Sequence, residues 1–367
     1  MRRGTIILIL FVVVVAGVIG VSQFLRQQPP LELNIAVDPL AEDWLRAAVT
    51  RFNATEPVVN AARRVQFSLT TTGDMVVWRG DHGWTPESHP DAWVPSSSVS
   101  VDYASSSNVP MTPIVPSLAR TPLVWGGYDS RVAVVTRNGT APLDWETVAA
   151  AAEAEAWSTL GGEPNWQFVK LGFALPDRTM SGLGVLLSGA AYFNENVDLR
   201  GGATSNSAFH DWLQPIIASV PNFTTLGNDV AGAMARGPST VELALLPERS
   251  WLANLDGMLG NEGVQLSYPA YQFVYDFPLL LWDTPETTSD QRAAVEAFGD
   301  WLLGTAEQAH AVGTGLRPAN SEPTTADAIF ALAETQGIQL EPDYGQVVIA
   351  PSRTESQALI QWFVNQR

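Results

Sequence analysis

The sequence predicts an α/β protein of two lobes, because of its length and the order of its short apolar segments. The chain has 367 residues, which is enough for two domains with well-filled cores. Three segments have the alternating or apolar pattern of strands: Leu31–Val37, residues 65–70 and Ala92–Val94. Between the first two, apolar residues such as Trp44 and Phe52 recur at helical spacing. Strands that alternate with helices are typical of parallel sheets with helices on their faces.

The same alternation returns further along the chain. Residues 170–175 have the pattern of a strand, and the small and apolar residues 183–193 predict a buried helix. Residues 241–246 predict another strand, followed by a helix that ends near Leu255. Residues 289–303 have one apolar face and predict an amphipathic helix. A second α/β unit therefore follows the first.

Two extended, apolar segments that contain proline are candidates for crossings between the lobes. They are residues 119–125 and residues 271–282. Two crossings make the first lobe discontinuous. We therefore predict that residues 31–125 and 276–367 form lobe 1 and that residues 126–275 form lobe 2.

The amino terminus has the pattern of a membrane segment. Arg2 and Arg3 precede the uncharged apolar run of residues 4–25. About 20 helical residues span a bilayer, and a cleavable signal usually has a shorter apolar region. We predict that residues 1–30 are an uncleaved signal anchor and spacer, with residues 31–367 extracellular or periplasmic. Cleavage near Ala16 or Ser22 is the alternative, because small residues lie there.

Charge and cysteine content exclude several functions. The net charge is −18, which disfavours binding to nucleic acid phosphates. The chain has no cysteine, so it contains no disulfide, no thiolate metal site and no lipoprotein anchor.

Hydroxyl groups follow the predicted strands at places where helices begin. In Pro90-Asp-Ala-Trp-Val-Pro-Ser-Ser-Ser98, three serines come directly after a short strand. Thr72 and Gly73 follow the preceding strand, and Thr179-Met-Ser-Gly182 precedes the predicted helix of the second unit. Such groups bind a small ligand, or they cap the helix and nothing more. The residues alone leave both interpretations open.

Several stretches, in this order, resemble the bacterial extracellular solute-binding proteins of the type II periplasmic-binding-protein fold, in a branch similar to molybdate receptors. They are Thr72-Gly-Asp-Met75, the segment from Pro90 to Ser98, Ala119-Arg-Thr-Pro122, Asp177-Arg-Thr-Met-Ser-Gly-Leu183, Tyr268-Pro269, Asp276-Phe-Pro278 and Gly315-Leu-Arg-Pro-Ala319. The resemblance implies two α/β lobes joined by crossing strands that act as a hinge and close over a solute. The implied partners are a sugar or a small polar or anionic compound and the permease of an ABC importer.

The resemblance also implies a binding site between the lobes. Lobe 1 would contribute Thr72, Gly73, Ser96 and Ser97, and lobe 2 would contribute Thr179, Ser181 and Gly182. Two charged residues join this set. Glu248 would face the cleft, or else form a surface ion pair with Arg249. Arg120 would bind a carboxylate, or else brace the hinge. Asp38, at the first strand end, would oppose an anion.

The 13 tryptophans make a sugar a candidate ligand, with Trp78, Trp84 and Trp125 nearest to the inferred cleft. Catalysis has little support. The four histidines lack metal-site spacing, and the chain has no phosphate-binding loop or nucleophile elbow. We therefore predict a binding protein without enzymatic activity, cofactor or metal. The alternatives are an anchored sensory or assembly ectodomain that binds a protein, and a hydrolase built on the pairs Asp81-His82 and His210-Asp211.

Overall fold

The computed structural model describes residue 11, residues 29–60 and residues 63–366. The predicted anchor, residues 4–25, lies outside these residues except for Phe11. Among the helices of the described part, none has the length and apolar character needed to cross a membrane.

The described strands, in chain order, are β1 (Leu31–Val37), β2 (Val58–Val59), β3 (Arg63–Thr71), β4 (Ala92–Val94), β5 (Met111–Val115), β6 (Ala119–Tyr128), β7 (Leu171–Gly172), β8 (Leu243–Pro247), β9 (Val264–Ser267), β10 (Tyr271–Gln272), β11 (Val274–Tyr275), β12 (Leu279–Trp282), β13 (Arg317–Pro318) and β14 (Gln346–Val347). The described α-helices beyond residue 30 are α1 (Glu42–Ala54), α2 (Asp74–Arg79), α3 (Ser98–Ser105), α4 (Asp129–Val135), α5 (Trp145–Ala154), α6 (Met180–Phe193), α7 (Ser207–Ala218), α8 (Phe223–Leu226), α9 (Val230–Met234), α10 (Glu248–Leu259), α11 (Ser289–Leu302), α12 (Thr305–Gly313), α13 (Ala328–Glu334) and α14 (Arg353–Gln366).

The first sheet has the order β2-β3-β1-β4-β12-β5. Strands β1, β3 and β4 are parallel, and Val37 pairs with both Thr71 and Val94. Their carboxyl ends therefore meet at one edge. Helix α1 covers one face, where the ring of Phe52 lies 5.7 Å from that of Phe67. Because side chains alternate along a strand, the residues next to Phe67 in β3 point to the opposite face of the sheet.

The second sheet has the order β11-β6-β8-β7, and β9 and β13 also pair with β6. Two glycines in β6 allow this dense packing. A Cβ added at Gly126 would lie 2.5 Å from the side chain of Leu266, and one at Gly127 would lie 2.3 Å from that of Leu243. The glycine pair is therefore required by its neighbours in the sheet.

The chain leaves the first sheet between β5 and β6 and returns to it between β11 and β12. At this junction β6 and β11 pair side by side, with Thr121 opposite Tyr275. These are the two proline-containing segments that the sequence marks as crossings.

The carboxyl-terminal segment contacts helices of both α/β units. The hydroxyl of Tyr103, in α3, donates a hydrogen bond to the carbonyl of Pro351 at 2.8 Å. On the other side, the ring of Phe363 in α14 lies 5.2 Å from that of Phe223 in α8. The division of the chain at residues 125 and 275 stays a prediction.

Some local expectations differ from the structure. Strand β7 covers only Leu171–Gly172 of the predicted residues 170–175. Trp78 and Trp125 are buried in the core, so neither can stack on a ligand, whereas Trp84 is half-buried. The helix predicted from residue 183 begins at Met180, because Thr179 caps it.

Candidate functional site

The parallel strands of the first sheet end at a buried pair of carboxyl groups, Asp38 after β1 and Asp74 at the start of α2. Two backbone hydrogen bonds hold these strand ends together, from Asp38 to the carbonyl of Val94 at 2.9 Å and from Thr72 to that of Val37 at 2.8 Å. One Asp38 oxygen accepts the amide of Leu40 at 2.9 Å, and the other accepts the amide of Asp74 at 3.3 Å. The two acids are thus fixed side by side.

Asp74 is fully buried and is surrounded by hydrogen-bond donors. Its carboxylate accepts the amide of Ser96 at 2.9 and 3.0 Å, the hydroxyl of Ser96 at 2.7 Å and the hydroxyl of Ser100 at 2.7 Å. Burial raises the pKa of Asp38 and raises that of Asp74 well above its usual value, and the charge of Asp38 adds to the rise at Asp74. Ser96, which the sequence predicts to bind ligand, therefore directs its hydroxyl to this carboxyl group.

Tyr275, in β11 of the second sheet, lies near the acid pair. Its side chain is fully buried, and its hydroxyl donates to the carbonyl of Ser181 at 3.1 Å. Burial raises the pKa of Tyr275 well above its usual value, and the nearby charges of Asp38 and Asp74 raise it further. The first turn of α6 is thereby joined to β11, at the side of the acid pair.

Two arginines make contacts between the two units. Arg79 Nη1, at the end of α2, donates to the carbonyl of Asp177 at 2.6 Å. Arg249 Nη2, in the first turn of α10, donates to the carboxylate of Asp43 in α1 at 2.7 Å. The amide of Arg249 donates to Thr121 Oγ1 in β6 at 3.0 Å. The structure therefore has the two units in contact around the acid pair.

A second charged cluster stabilises the junction between the units. Glu248 forms an ion pair with Arg317, at 2.8 Å from Nε and 2.9 Å from Nη2, rather than with its neighbour Arg249. Tyr268 donates its hydroxyl to Glu248 at 2.5 Å. Burial raises the pKa of Glu248, and Arg317 opposes that rise. Sequence reasoning did not identify Arg317, although the stretch Gly315-Leu-Arg-Pro-Ala319 contains it.

Arg120 is used within the same cluster. Its guanidinium donates to the carbonyls of Pro318 and Ser321 and to Glu322 at 2.7 Å. Glu322 also accepts from Arg317 at 2.9 Å. This arrangement is the bracing role that the sequence left open beside the ligand-binding role.

The other predicted site residues have different surroundings. Ser97 caps α3 by accepting the amide of Val99 at 3.2 Å, and Thr179 caps α6 by accepting that of Gly182 at 3.0 Å. Gly182 packs so tightly that an added Cβ would lie 2.3 Å from the carbonyl oxygen of Ala174. Gly73 precedes α2, and its Cβ would meet nothing within 4 Å.

In the described part of the chain, predicted residues line the following two cavities. Ser97 and Arg120 line one of about 300 Å³, together with Asp276 and Tyr344. Thr72 lines another, of about 270 Å³, on the first sheet. Of the remaining predicted residues, Ser96 bonds the acid pair and Glu248 belongs to the junction cluster, whereas Thr179 and Gly182 pack within the start of α6.

Comparison with known proteins identifies the fold. No protein-family model matches the chain, and no curated protein sequence matches it. Among solved structures, the chain is similar to the maltose/maltodextrin-binding domain from Bdellovibrio bacteriovorus bound to maltotriose, with a TM-score of 0.62, 11% identity and coverage of 92% of this chain and 93% of that one.

Two further similar structures are binding proteins as well. The periplasmic binding protein from Actinobacillus pleuropneumoniae with bound fructose-6-phosphate has a TM-score of 0.59 at 12% identity. The match covers 92% of this chain and 99% of that chain. The sulfate-binding protein from Mycobacterium tuberculosis has a TM-score of 0.52 at 14% identity, with 89% and 96% covered. The chain thus has a two-domain mixed α/β fold of the type II periplasmic-binding-protein kind, as the sequence motifs predict.

Proposed function

We propose that this protein captures a small solute between its two lobes, without chemical turnover, and presents it to the permease of an ABC importer. In this proposal residues 4–25 anchor the chain and residues 31–367 lie outside the membrane. The predicted lobes, residues 31–125 with 276–367 and residues 126–275, would rotate about β6 and the β11–β12 segment.

One observation carries the proposal. The loop before α6 and the first turn of α10 in one unit contact α2 and α1 of the other unit, through the hydrogen bonds of Arg79 to Asp177 and of Arg249 to Asp43. In an open–closed pair of lobes, these are the contacts that must break to admit a solute and re-form around it. Proteins with a similar fold bind fructose-6-phosphate and maltotriose, which supports solute binding by this chain as well.

The chemistry of this region favours a neutral or cationic polar solute over a bare oxyanion. Asp38 and Asp74 are buried there, and the negative charge that the pair carries when it is ionised would repel an anion at short range. Thr72, Gly73, Ser181 and the α10 residue Arg249 are the groups that we expect to reach the solute after opening.

The test is native mass spectrometry of the full chain, followed by thermal unfolding with a panel of sugars, amines and oxyanions. We expect one polar solute to raise the melting temperature, and we expect Asp74→Asn and Arg249→Gln to weaken its binding. Arg200→Gln is the control, because Arg200 pairs with Asp198 on the surface. A panel without any stabilising solute would contradict the proposal.

A second candidate function is the anchored ectodomain that binds a protein partner through the same fold. The burial of Tyr275 favours it, since the protein's own phenol occupies space next to the acid pair. This candidate predicts that no solute changes the melting temperature, and that the full chain purifies in a fixed ratio with one membrane protein.

A further inference from the structure

The face of the first sheet that α1 does not cover has a cavity of about 270 Å³. Asn34 and Ala36 of β1 and Thr70 of β3 form its floor, and the segment between α2 and β4 forms its wall. We call it the sheet-face cavity. His89 belongs to its lining and precedes the amino end of β4, whereas the acid pair lies at the carboxyl ends of the strands. Thr72, just after the carboxyl end of β3, also lines the cavity, so the cavity begins near the cleft and extends along the sheet away from it.

The short helix α2 creates this cavity. It ends at Arg79, and Gly80 follows with a φ of 90°, so residues 80–91 return to the sheet as a loop. The loop carries His82, Trp84 and His89. A longer helix would cover the polar residues Asn34 and Thr70, which here bond each other at 2.9 Å beside the cavity.

Trp84 gives the cavity a fixed aromatic wall. Its indole is half-buried and meets the ring edges of Trp93 at 6.0 Å and of Trp282 at 6.5 Å. His89 stacks on Trp282 with ring centroids 4.1 Å apart and an interplanar angle of 7°. Rings held in this way lose little conformational freedom when a ligand binds.

The two imidazoles offer opposite hydrogen-bonding groups. The amide of Trp84 donates to His82 Nδ1 at 2.8 Å, so the proton of the neutral ring is on Nε2, which is a donor. His89 Nδ1 lies 3.0 Å from the carbonyl of Pro90, which can only accept, so the Nε2 of its neutral ring is an acceptor. Burial lowers the pKa of His82, which favours its neutral form.

The lining side chains are hydroxyl, amide, imidazole, indole and small apolar groups. This set suits a ligand that is uncharged, that has both donors and acceptors, and that has an apolar face for Trp84. The volume is at the lower end of the range for small-molecule sites, so the ligand is about one ring in size.

We propose that the sheet-face cavity binds a single neutral sugar ring, with its C–H face on Trp84 and its hydroxyls on His82 and His89. The site shares Thr72 with the groups that we expect to reach the solute of the proposed function, but it does not include Arg249 or the acid pair. The proposal therefore does not rest on the proposed function, and Arg249→Gln distinguishes the two sites. A one-ring ligand in a shallow site binds weakly, with a Kd of about 1 mM.

The test is saturation-transfer NMR on the full chain, kept in a detergent without a sugar headgroup, with methyl glucoside as the probe. We expect transfer to the ring C–H protons. Trp84→Ala should weaken binding at least tenfold and Trp84→Phe about threefold, because a smaller ring keeps part of the stacking surface. His89→Gln should weaken it at least threefold, whereas His310→Gln, a change at an exposed histidine in α12, should leave it unchanged.

Two readouts keep the proposal falsifiable if Trp84→Ala does not fold. Thr70→Ala, at an exposed position on the cavity floor, should weaken binding while the melting temperature is retained. Arg249→Gln, in the cleft, should leave methyl glucoside binding unchanged. The proposal is overturned by the absence of transfer at concentrations of about ten times the expected Kd. It is also overturned if Trp84→Phe, His89→Gln and Thr70→Ala all bind methyl glucoside as well as the wild type does. Loss of methyl glucoside binding in Arg249→Gln would overturn it too.

Discussion

Glu248 and Arg317 form a two-pronged ion pair in which both side chains are fully buried, with oxygen–nitrogen distances of 2.8 and 2.9 Å. Arg317 also donates to the carbonyls of Gln339 at 2.5 Å and Leu340 at 2.8 Å. One guanidinium thus joins the first turn of α10, strand β13 and the segment after α13. A buried charge of this kind destabilises the folded protein when its counter-ion is removed.

The first prediction concerns that pair. Glu248→Gln should lower the free energy of unfolding by about 3 kcal/mol, because Arg317 would keep its charge in the core with only the partly exposed Glu322 as its counter-ion. Glu248→Gln with Arg317→Met should cost less than the sum of the single changes, since the double variant has no unpaired charge. Urea unfolding of the wild type, Glu248→Gln, Arg317→Met and the double variant measures these free energies.

The exposed pair of Arg200 and Asp198 is the matched control, because the Arg200 side chain is 65% exposed and its partner 37% exposed. Arg200→Gln should leave the unfolding midpoint where it is, since water screens such pairs. Equal shifts from Arg200→Gln and Glu248→Gln would mean that burial does not set the strength of the inner pair.

The alternation of strands and helices is predictable because it depends on local patterns of apolar residues. Which side chains pair with each other in the folded protein cannot be predicted in this way. Glu248 and Arg317 are 69 residues apart, and only the pairing of β13 with β6 brings Arg317 to the first turn of α10. From the sequence, Glu248 has an equally plausible partner in the adjacent Arg249.

The candidate site shows the same limit. Ser96 has the sequence context of a ligand donor, but Asp74, 22 residues earlier, takes its hydroxyl. From the sequence, Asp177 or Ser181 could cap α6, but in the structure Thr179 has that role. Tyr275 has no signal in the sequence at all, because its position depends on how the crossing strands meet the acid pair.

The second prediction concerns pH. The folded-state pKa of both Asp38 and Asp74 is raised above the ordinary 3.8, mainly by burial. The folded protein therefore binds more protons than the unfolded chain, and this contribution to stability is complete below pH 3.8 and is lost as the pH rises through the folded values. Asp38→Asn removes one charge and lowers the pKa of Asp74.

The measurement is the free energy of unfolding of the wild type and Asp38→Asn between about pH 4 and pH 8. The wild type should lose more stability than the variant over this interval. A wild type that gains stability relative to Asp38→Asn as the pH rises would show that the two acids are stabilised as anions in the folded protein.

The third prediction concerns the contact between Arg249 and Asp43. Because the two residues belong to α10 and α1, removing the contact should allow the units to separate more often. The natural chain has no cysteine, so spin labels can be placed uniquely at Asp256→Cys and Asp300→Cys, both exposed. Arg249→Gln should broaden the label distance distribution towards longer values, and Arg200→Gln should leave it unchanged. An unaltered distribution in Arg249→Gln would exclude a role of this contact in closure.

The last prediction separates packing from ligand binding at two glycines of the predicted site. Gly182→Ala would place a Cβ 2.3 Å from the carbonyl oxygen of Ala174, so α6 must shift away from the preceding loop. We expect a loss of about 2 kcal/mol in the free energy of unfolding, which is typical of an overpacked position. Gly73→Ala is the matched control, because its φ is −69° and its Cβ would meet nothing within 4 Å. Urea unfolding should show a normal midpoint for Gly73→Ala, and any loss of solute affinity in that variant would then come from contact with the solute. Equal midpoints for both variants would mean that the loop before α6 can move, and that tight packing does not explain Gly182.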